Sequence, residues 1–138
     1  MAEAVFRHQA ALRGVLEGFN IDSAGTGGWH AGADPDERMQ ATARRNGITL
    51  QGSARQVVAA DFSEFDVIIC MDGDNYSNLM SMGAPPARVK MMLEYHPDSR
   101  QRDVPDPYYG GSDGFQEVFD LLECSCSSLL DEMLPEAS

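Results

Sequence analysis

Residues 65–71 read FDVIICM, an apolar run bounded by Glu64 on one side and Asp72 on the other. Seven residues are far too few to cross a membrane, and the Val-Ile-Ile centre suits extended backbone. Continuous apolarity, rather than alternation, marks a strand covered on both faces, as in a parallel sheet between helices. Working outward, residues 75–82 read as a helix and residues 89–93 as a shorter strand. Upstream, residues 19–24 (FNIDSA) alternate apolar and polar, the pattern of a strand, and a glycine-rich turn follows over residues 25–32. The next helix has Asp34 as its cap, Pro35 in its first turn, Arg44 and Arg45 in its last, and Gly47 just beyond. Residues 1–17 carry apolar side chains at helical spacing, with Gly18 as the helix-ending residue. A last helix runs from near Asp113 to about Leu134, its apolar face made of Phe115, Val118, Phe119, Leu122, Cys126, Leu129, Leu130 and Met133.

Helices and strands thus alternate, which specifies an α/β fold with a small parallel sheet flanked by helices. Its 138 residues are one domain's worth of chain. The order is unusual at its front, where a helix stands in place of the strand that normally opens such folds. That helix also starts at residue 1 with no capping residue ahead of it.

Ten Lys and Arg stand against 22 Asp and Glu, a net charge of −12. Such a surface repels phosphate backbones and anionic lipid, so no nucleic-acid or membrane partner is expected. No apolar run approaches the ~20 residues of a membrane span, and no secretory signal opens the sequence. Cys70, Cys124 and Cys126 form no metal-binding or disulfide pattern. A cytoplasmic protein without metal or cofactor is the expectation.

Three motifs fail on inspection. The turn S-A-G-T-G-G-W-H-A-G fits neither dinucleotide nor Walker spacing: His30 stands where the third Gly belongs, and Ala33 follows Gly32 where Lys belongs. It reads as a turn presenting Trp29, a candidate cleft wall. Gly110, Ser112 and Gly114 match a nucleophile elbow, but prolines precede them instead of a strand, and no His follows. Asp72 and Asp74 resemble a magnesium-dependent aspartyl-phosphate motif, yet Tyr76 occupies the position of its Thr or Val. Acidic residues at a helix start explain them more simply.

Asp103-Val-Pro-Asp-Pro-Tyr-Tyr-Gly-Gly is the most informative stretch. Asp106 lies between two prolines of fixed φ. A carboxylate so stiffened, beside Tyr108 and Tyr109, suits protonation of an aromatic leaving group. On composition alone an Asp-Pro turn with surface tyrosines is the better explanation.

Taken together, MAEAVFRH, IDSAGTGGWHAG, the ARQ of residues 54–56, DFSEFDVIICMD and VPDPYYGG resemble the low-molecular-weight protein tyrosine phosphatases from Met1 to about Leu130. The resemblance implies the phosphotyrosine protein phosphatase I-like fold. It also implies hydrolysis of a phosphotyrosine protein or aryl phosphate through a cysteinyl phosphate. Asp106 is then the general acid, Tyr108 and Tyr109 line the cleft, and Trp29 lies in its variable wall.

That family opens with a strand and a Cys-x-x-x-x-x-Arg-[Ser/Thr] loop, and this sequence contains neither. Six residues after Cys70, Cys124 and Cys126 stand Tyr76, Leu130 and Glu132. The reaction needs a thiolate activated at a helix N-terminus, loop N–H groups around the phosphate, and an Arg that tightens on the transition state. Gly52 and Ser53 also occupy the place where many members have a bracing His. The 138 residues are therefore expected to be inactive alone, an N-terminally truncated domain lacking the family's first strand, which lies inside the sheet. Either the true start lies upstream, or the chain is a non-catalytic interaction module. In the latter case a strand-donating partner would fill the gap.

Overall fold

The structure, a computed structural model, describes residues 1–25, 37–50, 55–97, 101, 103–105 and 114–134. Five α-helices and two strands are described: α1 (Ala2–Leu12), α2 (Glu37–Arg45), α3 (Asp61–Glu64), β1 (Ile68–Cys70), α4 (Gly73–Ser81), β2 (Val89–Met91) and α5 (Gly114–Met133), with single 3-10 turns at Leu16–Gly18, Pro86–Arg88 and Met92–Tyr95. β1 and β2 run parallel in the register Ile68↔Val89, Ile69↔Lys90, Cys70↔Met91, joined through α4. A further parallel bridge pairs Gly25 with Gln56. This is the expected α/β fold with helices about a small parallel sheet.

Strand alternation divides the core into two faces. Ile69 and Met71 pack against the cluster formed by α1, α2 and α5, which includes Val5, Phe6, Ala10, Ala43, Phe119 and Leu130. Cys70, Val89 and Met91 belong to the opposite cluster with Phe62 and Leu79, and Ile68 packs against it. α1 is fastened along α5 by polar contacts as well. Gln9 donates to the Glu123 carbonyl at 2.8 Å, and Arg13 reaches both Asp131 and the Ser127 hydroxyl.

Several expectations change. α1 stops at Leu12 rather than near Gly18, because Gly14 takes φ 72° and Val15 donates back to the Ala10 carbonyl. That arrangement is a glycine-closed helix end. The expected strand over residues 65–71 shortens to Ile68–Cys70, and that over 89–93 to Val89–Met91, where the chain turns into 3-10 geometry. The short helix α3 carries no clear periodic signal. Residues 19–24 are not a strand, although Phe19 has extended φ and ψ.

The physical reason is a gap. Residues 19–24 and 67–71 both line a cavity of about 540 Å³, together with Phe6 of α1 and Val118, Leu122 and Leu129 of α5. Among the described residues, β1 pairs with β2 alone, and residues 20–24 make no backbone hydrogen bond to a strand. α1 holds residues 19, 21 and 23. The Phe6 and Phe19 rings meet edge-on at 5.4 Å, Arg7 donates to the Ile21 carbonyl, and the Ser23 hydroxyl donates to Glu3 at 2.7 Å.

Candidate active site

The sheet's carboxyl end is organised by carboxylates on backbone donors. Asp72 follows β1 and caps α4, accepting the Asn75 N–H at 2.8 Å. This assigns Asp72 to the helix start, as the simpler reading of the Asp72–Asp74 motif expects, and Asp74 lies exposed in the first turn. Asp103 crosses 30 residues of sequence to accept the Gly73 N–H at 3.0 Å. Beside it, the Val104 N–H donates to the Met71 carbonyl at 2.7 Å. The segment that leads into Asp106 is thereby moored at the carboxyl end of β1, the side of a parallel sheet where ligands bind.

A second mooring holds the base of the glycine-rich turn. Gly25 donates to the Arg55 carbonyl and accepts from the Val57 N–H, each at 2.8 Å. The Arg55 side chain reaches Asp22 through Nε at 3.0 Å, and grips both oxygens of Asp61 at 3.0 and 3.1 Å. Asp61 is 7% exposed and also accepts the Val58 N–H at 2.9 Å. The Arg55 bonds, opposed by burial and aided by Val58, hold the Asp61 carboxyl below its ordinary range. Planar, two-pronged geometry of this kind favours Arg over Lys.

Neither buried thiol is a ready nucleophile. Burial, aided by Asp72, pushes the Cys70 thiol up to about 11. Burial pushes Cys126 up to about 12, against the pull of the amino terminus. Both are protonated at neutral pH, and a thiol attacks as its thiolate. Burial also lowers the Met1 ammonium, with Glu3 acting the other way. Among the described residues, no three His, Cys, Asp or Glu side chains gather as a metal site.

Trp29, Asp106, Tyr108, Tyr109 and Ser112, together with the helix-opening Asp34 and Pro35, lie outside the described residues. The structure adds Asp103, Arg55 and the Glu3–Ser23 contact to the site's surroundings. Their only sequence signal was membership in the short strings MAEAVFRH, IDSAGTGGWHAG and ARQ or, for Asp103, in the immediate flank of VPDPYYGG.

A parallel α/β sheet with its loops anchored at the carboxyl end defines the class. The family description "Low molecular weight phosphotyrosine protein phosphatase" matches residues 1–138. The low-molecular-weight protein-tyrosine-phosphatase YfkJ of Bacillus subtilis is 45% identical, over 99% of this chain and 88% of that protein. The human low-molecular-weight phosphotyrosine protein phosphatase is 34% identical, over 96% and 85%. The crystal structure of YfkJ superimposes with a TM-score of 0.89 at 44% identity, over 96% of this chain and 84% of that one. A protein tyrosine phosphatase from Entamoeba histolytica gives 0.90 at 36%, over 96% and 86%. The chain belongs to the low-molecular-weight phosphotyrosine protein phosphatase family, hydrolases that act on phosphotyrosine. Among the described residues, no helix is long and apolar enough to cross a membrane.

Proposed function

We propose that the protein is a phosphotyrosine or aryl-phosphate hydrolase working through a cysteinyl phosphate, with Asp106 as general acid. Asp106 protonates the leaving phenolate, then takes a proton from the water that clears the thiol ester of phosphate. Trp29, Tyr108 and Tyr109 wall the cleft for an aromatic ring. The nucleophilic Cys and the phosphate-binding Arg belong to a Cys-x-x-x-x-x-Arg element that these 138 residues do not contain. The observation that supports the reading is the mooring of residues 103–104 to Met71 and Gly73 at the carboxyl end of β1, in the sequence segment that immediately precedes Asp106.

The experiment compares two proteins on p-nitrophenyl phosphate: the 138-residue chain, and the protein isolated from its source cells with its intact mass and N-terminal peptide determined. The 138-residue chain is expected to give no turnover above buffer. The source protein is expected to be heavier, to begin with a Cys-x-x-x-x-x-Arg peptide, and to turn over. Turnover by the 138-residue chain would overturn the cysteinyl-phosphate route. A source protein of the same 138 residues that folds without turnover would favour a non-catalytic module.

The cavity in the sheet favours one addition to that second reading, a donated strand. Residues 20–24 and β1 both line it, and among the described residues neither has a strand partner there. A Val- and Ile-rich hexapeptide added to the 138-residue chain is expected to raise Tm. At a hundredfold excess over Kd the stabilisation is about 2.7 kcal/mol. Slowed amide exchange at residues 20–24 and 68–70 would accompany it. An unchanged Tm at saturating peptide would exclude strand donation.

A further inference from the structure

We infer that Arg55 is the keystone of a polar strap, a run of bonded side chains from α1 to α3 that holds residues 21–25 at the cavity, and that release of this strap opens the cavity while the helical core stays folded. The run starts on α1, where Arg7 Nε donates to Glu3 at 2.9 Å and the same guanidinium donates to the Ile21 carbonyl. Glu3 also accepts the Ser23 hydroxyl at 2.7 Å. Asp22 accepts the Ser23 N–H with one oxygen at 2.8 Å, and Arg55 Nε with the other at 3.0 Å. The two remaining nitrogens of Arg55 donate to both oxygens of Asp61, in α3, at 3.0 and 3.1 Å. Glu3, Asp22, Ser23, Arg55 and Asp61 all line the cavity of about 540 Å³.

Exposure decides what holds the segment. Phe19 and Ile21 pack against the core cluster of α1 and α5, whereas residues 22–25 are exposed. Beyond Ile21 the chain buries little apolar surface, so its place there rests on polar bonds. Exposed ion pairs contribute little one at a time, and a strap made of them needs one strong link. Arg55 supplies it. Asp61 is nearly buried, its carboxylate meets two parallel N–H bonds, and the Val58 N–H adds a third at 2.9 Å. The Arg55 backbone holds the same segment: its carbonyl accepts the Gly25 N–H, and the Gly25 carbonyl accepts the Val57 N–H, each at 2.8 Å. A segment with few buried apolar contacts and exposed hydrogen bonds opens locally, at less cost than global unfolding. When residues 22–25 open, Asp22, Ser23 and Ala24 leave the cavity lining, and apolar solutes reach Phe6, Ile69 and Leu122 within it.

Two variants of the 138-residue chain test this, Arg55→Lys at the keystone and Ser23→Ala at the α1 end. Lysine keeps a positive charge beside Asp61 but cannot make the two-pronged grip. In Arg55→Lys, the Gly25 and Val57 amides are expected to exchange about tenfold faster, while those of Phe119 and Leu130 in α5 keep their rates. In Ser23→Ala, Val57, on the Arg55 side of the strap, is expected to speed up as much as Gly25, by about fivefold. The neutral apolar dye Nile red is expected to bind each variant more tightly by the same factor as its amides quicken. A ligand of the open form gains apparent affinity in proportion to the open population. Equal acceleration in α5 would make Arg55 a global stabiliser and overturn the inference. A wild-type rate at Val57 in Ser23→Ala would show separate contacts instead of one strap. Unchanged dye affinity alongside faster Gly25 exchange would overturn the opening of the cavity. If Arg55→Lys does not fold, Ser23→Ala, at an exposed position, decides by the same two readouts.

Discussion

Phe119→Ala lowers the unfolding free energy by about 3–5 kcal/mol, a large share of the roughly 5–15 kcal/mol that holds a domain of this size. Phe119 is fully buried on α5, in the cluster that joins α5 to α1 and α2. Its neighbours in that cluster, Val5, Ala10, Leu122 and Leu130, come from helices whose backbones are already in contact, so they cannot collapse into the space left. A protein with a cavity of about 540 Å³ in its sheet has little reserve against a second one. The urea midpoint reads the change. Leu12→Ser, on a side chain 75% exposed, is the control, and shifts stability by no more than about 0.5 kcal/mol. A loss below about 1 kcal/mol for Phe119→Ala would mean that α5 is not the spine of the core.

The same helix shows what a sequence makes legible. Of the eight apolar-face residues read from the period of 3.6, Phe115, Val118, Phe119, Leu122, Cys126, Leu129 and Leu130 are buried, and Met133 is partly so. A helix closes its hydrogen bonds within itself, so its pattern suffices to predict it. A strand does not. Residues 19–24 carry the right alternation, yet without a partner on the cavity side they form no strand. The end of α1 was misjudged for a local reason: Gly14 closes the helix before Gly18 is reached.

The candidate site divides in the same way. Asp106, Tyr108, Tyr109 and Trp29 were named because each sits in a short distinctive string. Asp103 and Arg55 were given no role there, because the Asp103–Gly73 and Arg55–Asp22 bonds span 30 and 33 residues of sequence, although the Arg55–Asp61 pair is local. No window along the chain contains both ends of such a bond. Their strings gave the residue types, and the fold gave the partners.

Asp106→Ala carries the largest effect on chemistry. In the protein that contains the Cys-x-x-x-x-x-Arg element, its turnover of phenyl phosphate falls by about 10²–10⁴, the usual worth of a positioned general acid. Expulsion of a phenolate of high pKa requires a proton in the transition state, and no described carboxylate on the mooring is free to supply it. Asp72 is committed to the Asn75 N–H, and Asp103 to that of Gly73. p-Nitrophenolate leaves without such help, so its formation falls far less, and the ratio of the two losses isolates the protonation step. The pH profile supplies an independent reading. With Asp106 present, turnover of phenyl phosphate declines as pH rises and the acid loses its proton. In Asp106→Ala that decline disappears from the profile. Equal losses on both substrates, with the decline retained, would assign the proton to another group and leave Asp106 as a structural residue of the loop.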